Sequence, residues 1–334
     1  MNYEVSTLAL ELELEVEAVT ALTDTITAFR LRDPGGAALP AFAPGAHLRV
    51  RVEVDGRADW RHYSLINCEP RADATAARAS YHIAVRRDDG GRGGSKWMHG
   101  QLKVGSRLVT SAPLNAFPLD PEADDAVLIA GGIGVTPLIS MAAALGAAGR
   151  RYRFHYSARH PAQLAYTAEL RALAGEALTL YADEGEALPR LELASLLDGL
   201  RPTQPIYVCG PAAMIDAVLA LATARGWSRD DIRFELFAAA QPKAEDRTFE
   251  VELRQSGLVL EVSPDQSILD AMLAAGLDPL HDCKRGECGI CLTEVVSGEI
   301  DHRDYCLSDG EKAGGKVMQI CVSRARCRRL VLDA

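Results

Sequence analysis

The segment Cys283-Lys284-Arg285-Gly286-Glu287-Cys288-Gly289-Ile290-Cys291 spaces three cysteines as C-x4-C-x2-C, and a fourth, Cys321, follows after 29 intervening residues. Thiolates held this close repel one another unless a cation shares their charge. The spacing is that of plant-type [2Fe-2S] sites, where one loop wraps an edge of the cluster and a distant strand delivers the fourth thiolate. Gly286 and Gly289 fall inside the loop, where backbone must approach the inorganic sulfides closely. The competing readings are structural zinc or buried thiols without metal. Zinc favours two paired C-x2-C arms, and here one arm is a single cysteine. Cys283, Cys288, Cys291 and Cys321 are therefore the expected metal ligands, and Cys306 and Cys327 are expected to stand apart. Six of the chain's eight cysteines lie beyond residue 282, which in an intracellular chain points to metal rather than to disulfides.

Upstream of the cysteines, FEVELRQSGLVLEVSP (249–264) reads as a β-hairpin turning at Ser256-Gly257, and SILDAMLAA (267–275) as an amphipathic helix with Gly276 just past its end. Before that, Ala238–Arg247 is small, polar and proline-containing, as linkers are. Further back, short apolar strands alternate with helices. AVLIA (126–130), YRFHYS (152–157), LTLYA (178–182), IYVCG (206–210) and IRFELF (232–237) are the strands. Helices fall at 136–145, with Thr136 as expected N-cap and Pro137 in the first turn, at 162–175, at 191–200 and at 212–226. This rhythm predicts a doubly wound parallel sheet. Between its first strand and helix stands Gly131-Gly132-Ile133-Gly134-Val135-Thr136-Pro137, where a pyrophosphate would rest on a helix N-terminus. The pattern departs from G-x-G-x-x-G at Pro137, and a plain tight turn is the competing reading in isolation. Val208-Cys209-Gly210-Pro211 ends a later strand of the same sheet, at the carboxyl edge where such sheets bind ligands. Cys209 alone also reads as a small buried hydrophobe.

The first third reads as antiparallel β. Leu8–Val19 alternates apolar and acidic residues, and further strands are expected at 47–54, 61–67, 81–87 and 106–111, with turns at Pro44-Gly45 and Val54-Asp55-Gly56. With one helix at 96–102, this suggests a small closed β-barrel. Arg61-His62-Tyr63-Ser64 lies on one strand, and the glycine-rich loop Gly90–Ser95 feeds the helix as a possible anion cradle.

Apolar residues make up 48% of the 334 and charged ones 25%, as in ordinary globular proteins. The net charge of −10 disfavours nucleic acid, whose phosphates need a basic face. No apolar run is long enough to span a membrane, and the acidic N-terminus lacks a secretory signal's basic start, so no membrane partner and a cytoplasmic location are expected.

Taken in order, RHYS, GRGGS, GGIGVTP, YVCGPAAMIDAV and CKRGECGIC with its distant CVSRA resemble the phthalate dioxygenase reductase family, including reductases of the vanillate O-demethylase kind. The resemblance covers nearly the whole chain. It implies an FMN-binding β-barrel domain at 1–118, an NAD-binding α/β domain at 119–237, a linker at 238–247 and a β-grasp ferredoxin domain at 248–334. Arg61, Tyr63 and Ser64 would bind FMN, Ala84, Val85 and Arg86 would line its ring and ribityl chain, and Gly93, Gly94 and Ser95 would take its phosphate. Gly132, Gly134, Thr136 and Pro137 would hold the NAD pyrophosphate, and Cys209, Gly210 and Pro211 would flank the nicotinamide. Glu235 and Phe237 would reach towards the flavin. Ser64, Cys209 and Glu235 are the implied catalytic residues. NADH is the expected donor, with NADPH left open by Arg159, since an arginine near the ribose accommodates a 2′-phosphate. The implied activity passes hydride to FMN and then single electrons through the cluster to a terminal oxygenase. The alternatives are a reductase for a cytochrome P450 or other monooxygenase, or a redox sensor or electron-transfer subunit.

Overall fold

The computed structural model describes residues 10–68, 77–237 and 242–334. Leu8 and Ala9 of the first expected strand, and residues 238–241 of the expected linker, lie outside the described residues. The chain forms two compact units, Met1–Glu235 and Leu236–Ala334.

The first unit opens with β1 (Glu11–Ala21), β2 (Ile26–Arg32), β3 (His47–Val54), β4 (Arg57–Ser64), β5 (Tyr81–Arg86), helix α1 (Gly94–Gln101) and β6 (Arg107–Ser111). The six strands make one antiparallel sheet in the order β4-β3-β6-β1-β2-β5. Period-two alternation sends Leu14 and Val16 of β1 into the core, against Phe29, Leu48, Val50, Ile83 and Met98. The glutamates of β1 face outward and meet arginines of the neighbouring strands, Glu15–Arg32 at 2.7 Å and Glu13–Arg107 at 2.9 Å. The β3–β4 hairpin turns on Asp55 (φ 52°) and Gly56 (φ 73°), the two left-handed positions of a two-residue type I′ turn.

Three expectations change here. The strand β2 is absent from the sequence reading, because its interior carries the half-buried Thr27 and Ala28 rather than a clean apolar alternation. The sheet is a curled half-barrel and not a closed barrel. Among the described residues its edges β4 and β5 share no ladder, and beyond the end of β4 the Ile66 N–H reaches the His82 carbonyl at 2.9 Å. The helix also begins at Gly94, two residues earlier than expected.

The α/β part follows as β7 (Ala126–Gly131), α2 (Val135–Ala147), β8 (Tyr152–Ala158), α3 (Thr167–Ala174), β9 (Leu178–Ala182), α4 (Leu193–Asp198), β10 (Ile206–Gly210), α5 (Ala212–Ala224) and β11 (Ile232–Leu236). The sheet order is β11-β10-β7-β8-β9, and β10, β7, β8 and β9 pair in parallel. Every residue of β7 is buried, as in a sheet covered on both faces. The chain leaves β7 towards one side and returns to its other side at β10, which makes the β7–β10 edge the switch point. Thr136 is not the N-cap of α2. A 3-10 turn, Gly132–Gly134, runs straight into the helix, Gly134 takes the capping position, and the Thr136 hydroxyl donates to the Ile133 carbonyl at 3.0 Å. α3 starts five residues later than expected, because Tyr166 takes a left-handed φ of 58° that no helix admits.

The second unit contains β12 (Phe249–Leu253), β13 (Leu258–Val262), α6 (Ile268–Ala274), β14 (Leu292–Ser297), β15 (Ile300–Asp301), α7 (Asp309–Gly314), β16 (Val317–Gln319), β17 (Arg324–Ala325) and β18 (Arg329–Leu332). Its sheet runs β13-β12-β18-β14-β16, with β18 parallel to β12 and antiparallel to β14, while β15 and β17 pair separately. This is the ferredoxin-type arrangement, with α6 packed on the sheet through Ile268, Leu269 and Met272. A capping box of Ser267 and Asp270 starts α6, and Gly276 (φ 83°) follows its end. The last part of the expected linker is tied into this unit. The Asp246 carboxylate is buried, accepts from Arg303 at 2.8 Å and lies 3.9 Å from Arg324, and the Arg303 hydrogen bonds hold it down to about 2.

Candidate cofactor sites

The loop between α6 and β14 brings the four expected thiols together as two pairs, Cys283 with Cys288 and Cys291 with Cys321. Cys283, Cys291 and Cys321 are buried and Cys288 is partly so. Within the first pair, the hydrogen bond from Cys288, helped by the Arg285 charge, lowers Cys283, while the same bond and burial raise Cys288. Within the second, Cys291 is lowered by its bond with Cys321, and Cys321 is raised by that bond and by burial. Each pair thus shares protons that a metal would replace. Among the described residues, no three Cys, His, Asp or Glu side chains converge on a single-ion site. Two pairs of thiols, one per iron, are the donor set a two-iron cluster asks for, whereas structural zinc wants four donors around one centre.

The loop is curled by left-handed residues, Lys284 (φ 54°), Gly286 (φ 77°) and Gly289 (φ 77°). A Cβ on Gly286 would lie 2.6 Å from Val322 Cγ2 and 3.1 Å from Asp304 Cα, so the strap 304–305 seals the loop, with the Tyr305 N–H donating to the Gly286 carbonyl at 2.9 Å. The Arg285 N–H donates to Cys283 Sγ at 3.3 Å. One group beside the sulfurs escapes the cysteine spacing: Gln319 Oε1 lies 3.2 Å from Cys291 Sγ. Nothing in the spacing marks Gln319, which acts only because β16 returns beside the loop. Cys306 is exposed, and Cys327 Sγ accepts from the Glu299 N–H at 3.2 Å.

On the half-barrel, Arg61, Tyr63 and Ser64 end β4, while Ala84, Val85 and Arg86 end β5, the opposite edge strand. Ser64 is buried, and its hydroxyl has no hydrogen-bond partner among the described residues. A buried orphan hydroxyl is costly unless something bonds it, so it fits a ligand with polar ring atoms. Burial raises the Tyr63 phenol, with the Arg61 charge pulling the other way. The Arg61 side chain lies across the start of α1. Its Nη2 donates to the Arg92 carbonyl at 2.9 Å, and a Cβ on Gly94 would stand 2.6 Å from its Nε. Gly93 (φ 78°) caps α1 without a side-chain hydrogen bond, so among the described residues no side chain caps its first turn, which lies beside a guanidinium and suits a phosphate. The Ser95 hydroxyl accepts from the Asp88 N–H at 3.0 Å, and the Val85 carbonyl is met by His99 Nε2 at 2.9 Å. Arg86 is exposed.

At the switch point two glycine turns interlock. A Cβ on Gly134 would fall 2.1 Å from the Cys209 carbonyl oxygen, and one on Gly210 would fall 3.0 Å from Gly131 Cα. Gly132 (φ 54°) instead faces open space and is the accessible member of the cluster. Thr136 and Pro137 are buried, as is Cys209. Pro211 caps α5, and its ring would meet a Cβ on Gly131 at 2.6 Å. Glu235 is buried near the end of β11, and Phe237, just beyond it, is half-buried.

Residues 251–326 match the 2Fe-2S iron-sulfur cluster binding domain family, and residues 107–232 match the N-terminal domain of dimethylamine monooxygenase subunit DmmA-like proteins. The chain is 40% identical over 324 residues to the toluene-4-sulfonate monooxygenase system reductase subunit TsaB1 of Comamonas testosteroni, covering 97% of this chain and 99% of that one. It is 38% identical over 325 residues to phthalate dioxygenase reductase of Burkholderia cepacia, covering 96% and 97%. A solved structure of phthalate dioxygenase reductase, described as modular for electron transfer from pyridine nucleotides to [2Fe-2S], matches with a TM-score of 0.73 at 37% identity, over 97% of this chain and 98% of that one. With a curled antiparallel sheet, a parallel sheet and a ferredoxin domain in that order, the chain belongs to the phthalate dioxygenase reductase-like family, the oxidoreductases that serve oxygenase systems as reductase components.

Proposed function

We propose that the protein is the NADH-dependent reductase of a two-component Rieske-type oxygenase or demethylase, working in the cytoplasm and delivering electrons to a separate terminal oxygenase. The observation that carries this reading is the pair-wise set of four thiols in a chain that also holds a glycine-lined switch point and a buried Ser64 hydroxyl without a partner among the described residues. A bound flavin supplies the conversion between a hydride's electron pair and the single electrons a two-iron cluster accepts.

The chain's own residues bind and orient. Arg61, Gly93, Gly94 and Ser95 hold the flavin's phosphate, and because that cradle ends the site on the half-barrel itself, FMN is favoured over FAD. Tyr63 and Ser64 fix the ring, with Ala84, Val85 and Arg86 along its other edge. Gly132 and Gly134 let the NAD pyrophosphate approach, with Thr136 and Pro137 shaping the turn from beneath. Cys209, Gly210 and Pro211 place the nicotinamide, with Glu235 beside it. Arg159, the residue that leaves NADPH open, lies 3.9 Å from the Glu184 carboxylate. That carboxylate offsets the guanidinium and would repel a 2′-phosphate, which favours NADH.

The test is the visible spectrum of the purified protein, with the released flavin identified by chromatography and iron and sulfide counted. Roughly one FMN and two irons per chain, with NADH bleaching both, is the expected result for a plant-type site. A protein that takes up neither flavin nor iron after reconstitution would overturn the reading.

A further inference from the structure

Ser140 is a lone hydroxyl in the otherwise apolar middle of α2, buried at 2% exposure. A serine inside a helix usually bonds back to its own preceding turn. This one reaches out to the half-barrel. Its oxygen accepts from the Asn67 N–H at 2.8 Å and donates to the Leu65 carbonyl at 2.9 Å. Both partners lie within three residues of Ser64, on the segment that continues β4. The neighbouring residue tightens the same junction. Gly45 of the half-barrel sits so close to α2 that a Cβ there would stand 3.1 Å from Met141 Cε. At its other end, α2 begins on Gly134, pressed against the Cys209 carbonyl. One stiff helix therefore carries the dinucleotide turn at its start and is latched to the flavin strand about 9 Å further along, at 1.5 Å per residue.

We propose that Ser140 is a positioning residue for hydride transfer: its hydroxyl fixes the dinucleotide turn relative to the flavin strand, and so the approach of nicotinamide to the ring. The inference rests on the reading of those two sites given above. Removing the hydroxyl takes a buried partner from one N–H and one C=O and leaves the helix and the flavin strand without that tie. A misplacement near 1 Å can cost about 100-fold in rate.

The experiment compares the parent with Ser140→Ala and Ser140→Thr in the full chain. Three quantities are read: flavin bleaching at saturating NADH by stopped flow, the NADH dissociation constant, and amide hydrogen exchange of residues 65–67 in the flavin-free protein. Ser140→Ala should slow bleaching by about tenfold or more, change NADH affinity by less than about threefold, and speed exchange at the Asn67 amide. Ser140→Thr, which keeps the hydroxyl, should restore the rate and the protection. Should Ser140→Ala not accumulate, Ser140→Cys takes its place, with the same expected losses. Bleaching within about twofold of the parent, a loss explained wholly by NADH affinity, or a threonine variant as slow as alanine would overturn the proposal. A parent protein that NADH does not bleach fails the functional reading as well, whereas a bleaching parent with an indifferent Ser140→Ala fails only the role of Ser140.

Discussion

A Cβ placed on Gly134 would stand 2.1 Å from the carbonyl oxygen of Cys209, and 2.4 Å from its carbon. The obstacle is backbone at the buried carboxyl end of β10, so no rotamer change relieves it. Gly134→Ala should therefore push α2 away from β10. The expected cost is about 2–3 kcal/mol, the upper part of the range for overpacking. That corresponds to a melting temperature about 5–10 °C lower for a unit of this size. Dinucleotide binding should weaken with it, while the cluster's absorption stays. Calorimetry and NADH titration check both, and an unchanged melting temperature would contradict the packing seen at the switch point.

Cys321 is contributed by the segment that follows β16, far along the chain from the loop carrying its three companions. Cys321→Ser should abolish or grossly alter the cluster signal while leaving flavin bound, because the half-barrel lies in the other unit. Iron counting and the low-temperature electron paramagnetic resonance of the dithionite-reduced protein decide it. A parental signal in the variant would remove Cys321 from the ligand set.

Arg61 offers a guanidinium beside the uncapped start of α1. Arg61→Ala should weaken flavin binding by about 10–100-fold, the worth of one or two charge-assisted hydrogen bonds. Flavin fluorescence on dilution measures the release. The iron content should be unaffected.

Glu184→Gln should improve the use of NADPH, since it removes the carboxylate that faces Arg159. The pair is exposed, so the change in NADPH affinity should be only about two- to fivefold. Steady-state kinetics with both coenzymes test it, and a drop in NADPH use would place the ribose elsewhere.

Asp246 titrates low because Arg303 hydrogen-bonds its ionised form. A carboxyl whose native value lies below its unfolded one stabilises the fold above the unfolded value, and the gain is lost as pH falls through the native one. For Asp246, held down to about 2, the loss runs from about pH 4 to about pH 2. Asp246→Asn should thus destabilise the second unit by up to about 2 kcal/mol at neutral pH. The gap should be flat from about pH 5 to 8 and close in stronger acid. Urea melts of cluster-free protein at several pH values read the difference.

The sequence made some of this legible and hid the rest for physical reasons. The cysteine loop is local, so its spacing reports its chemistry directly, and the β/α rhythm of the middle third follows from buried strands being apolar throughout. What escaped depends on distant partners. Thr136 has an N-cap's chemistry, but a 3-10 turn starts the helix ahead of it. The strand β2 carries small residues at positions where alternation would have shown, and a bulge in β1 between Val16 and Ala18 shifts the register beside it. Whether the barrel closes is decided by where β4 ends relative to β5, which no local pattern encodes. Ser140 and Gln319 carry no motif at all, and their roles arise only from what the fold sets opposite them.

The strand Arg329–Leu332 comes last in the second unit's chain order yet lies at the centre of its sheet, between β12 and β14. During synthesis, β12 and β14 leave the ribosome before the strand that joins them, and their neighbouring edges stay unpaired until β18 appears. Closure of this unit's sheet therefore waits for Arg329–Leu332, and a chain stopped before Arg329 should lose the cluster's absorption while keeping the flavin's.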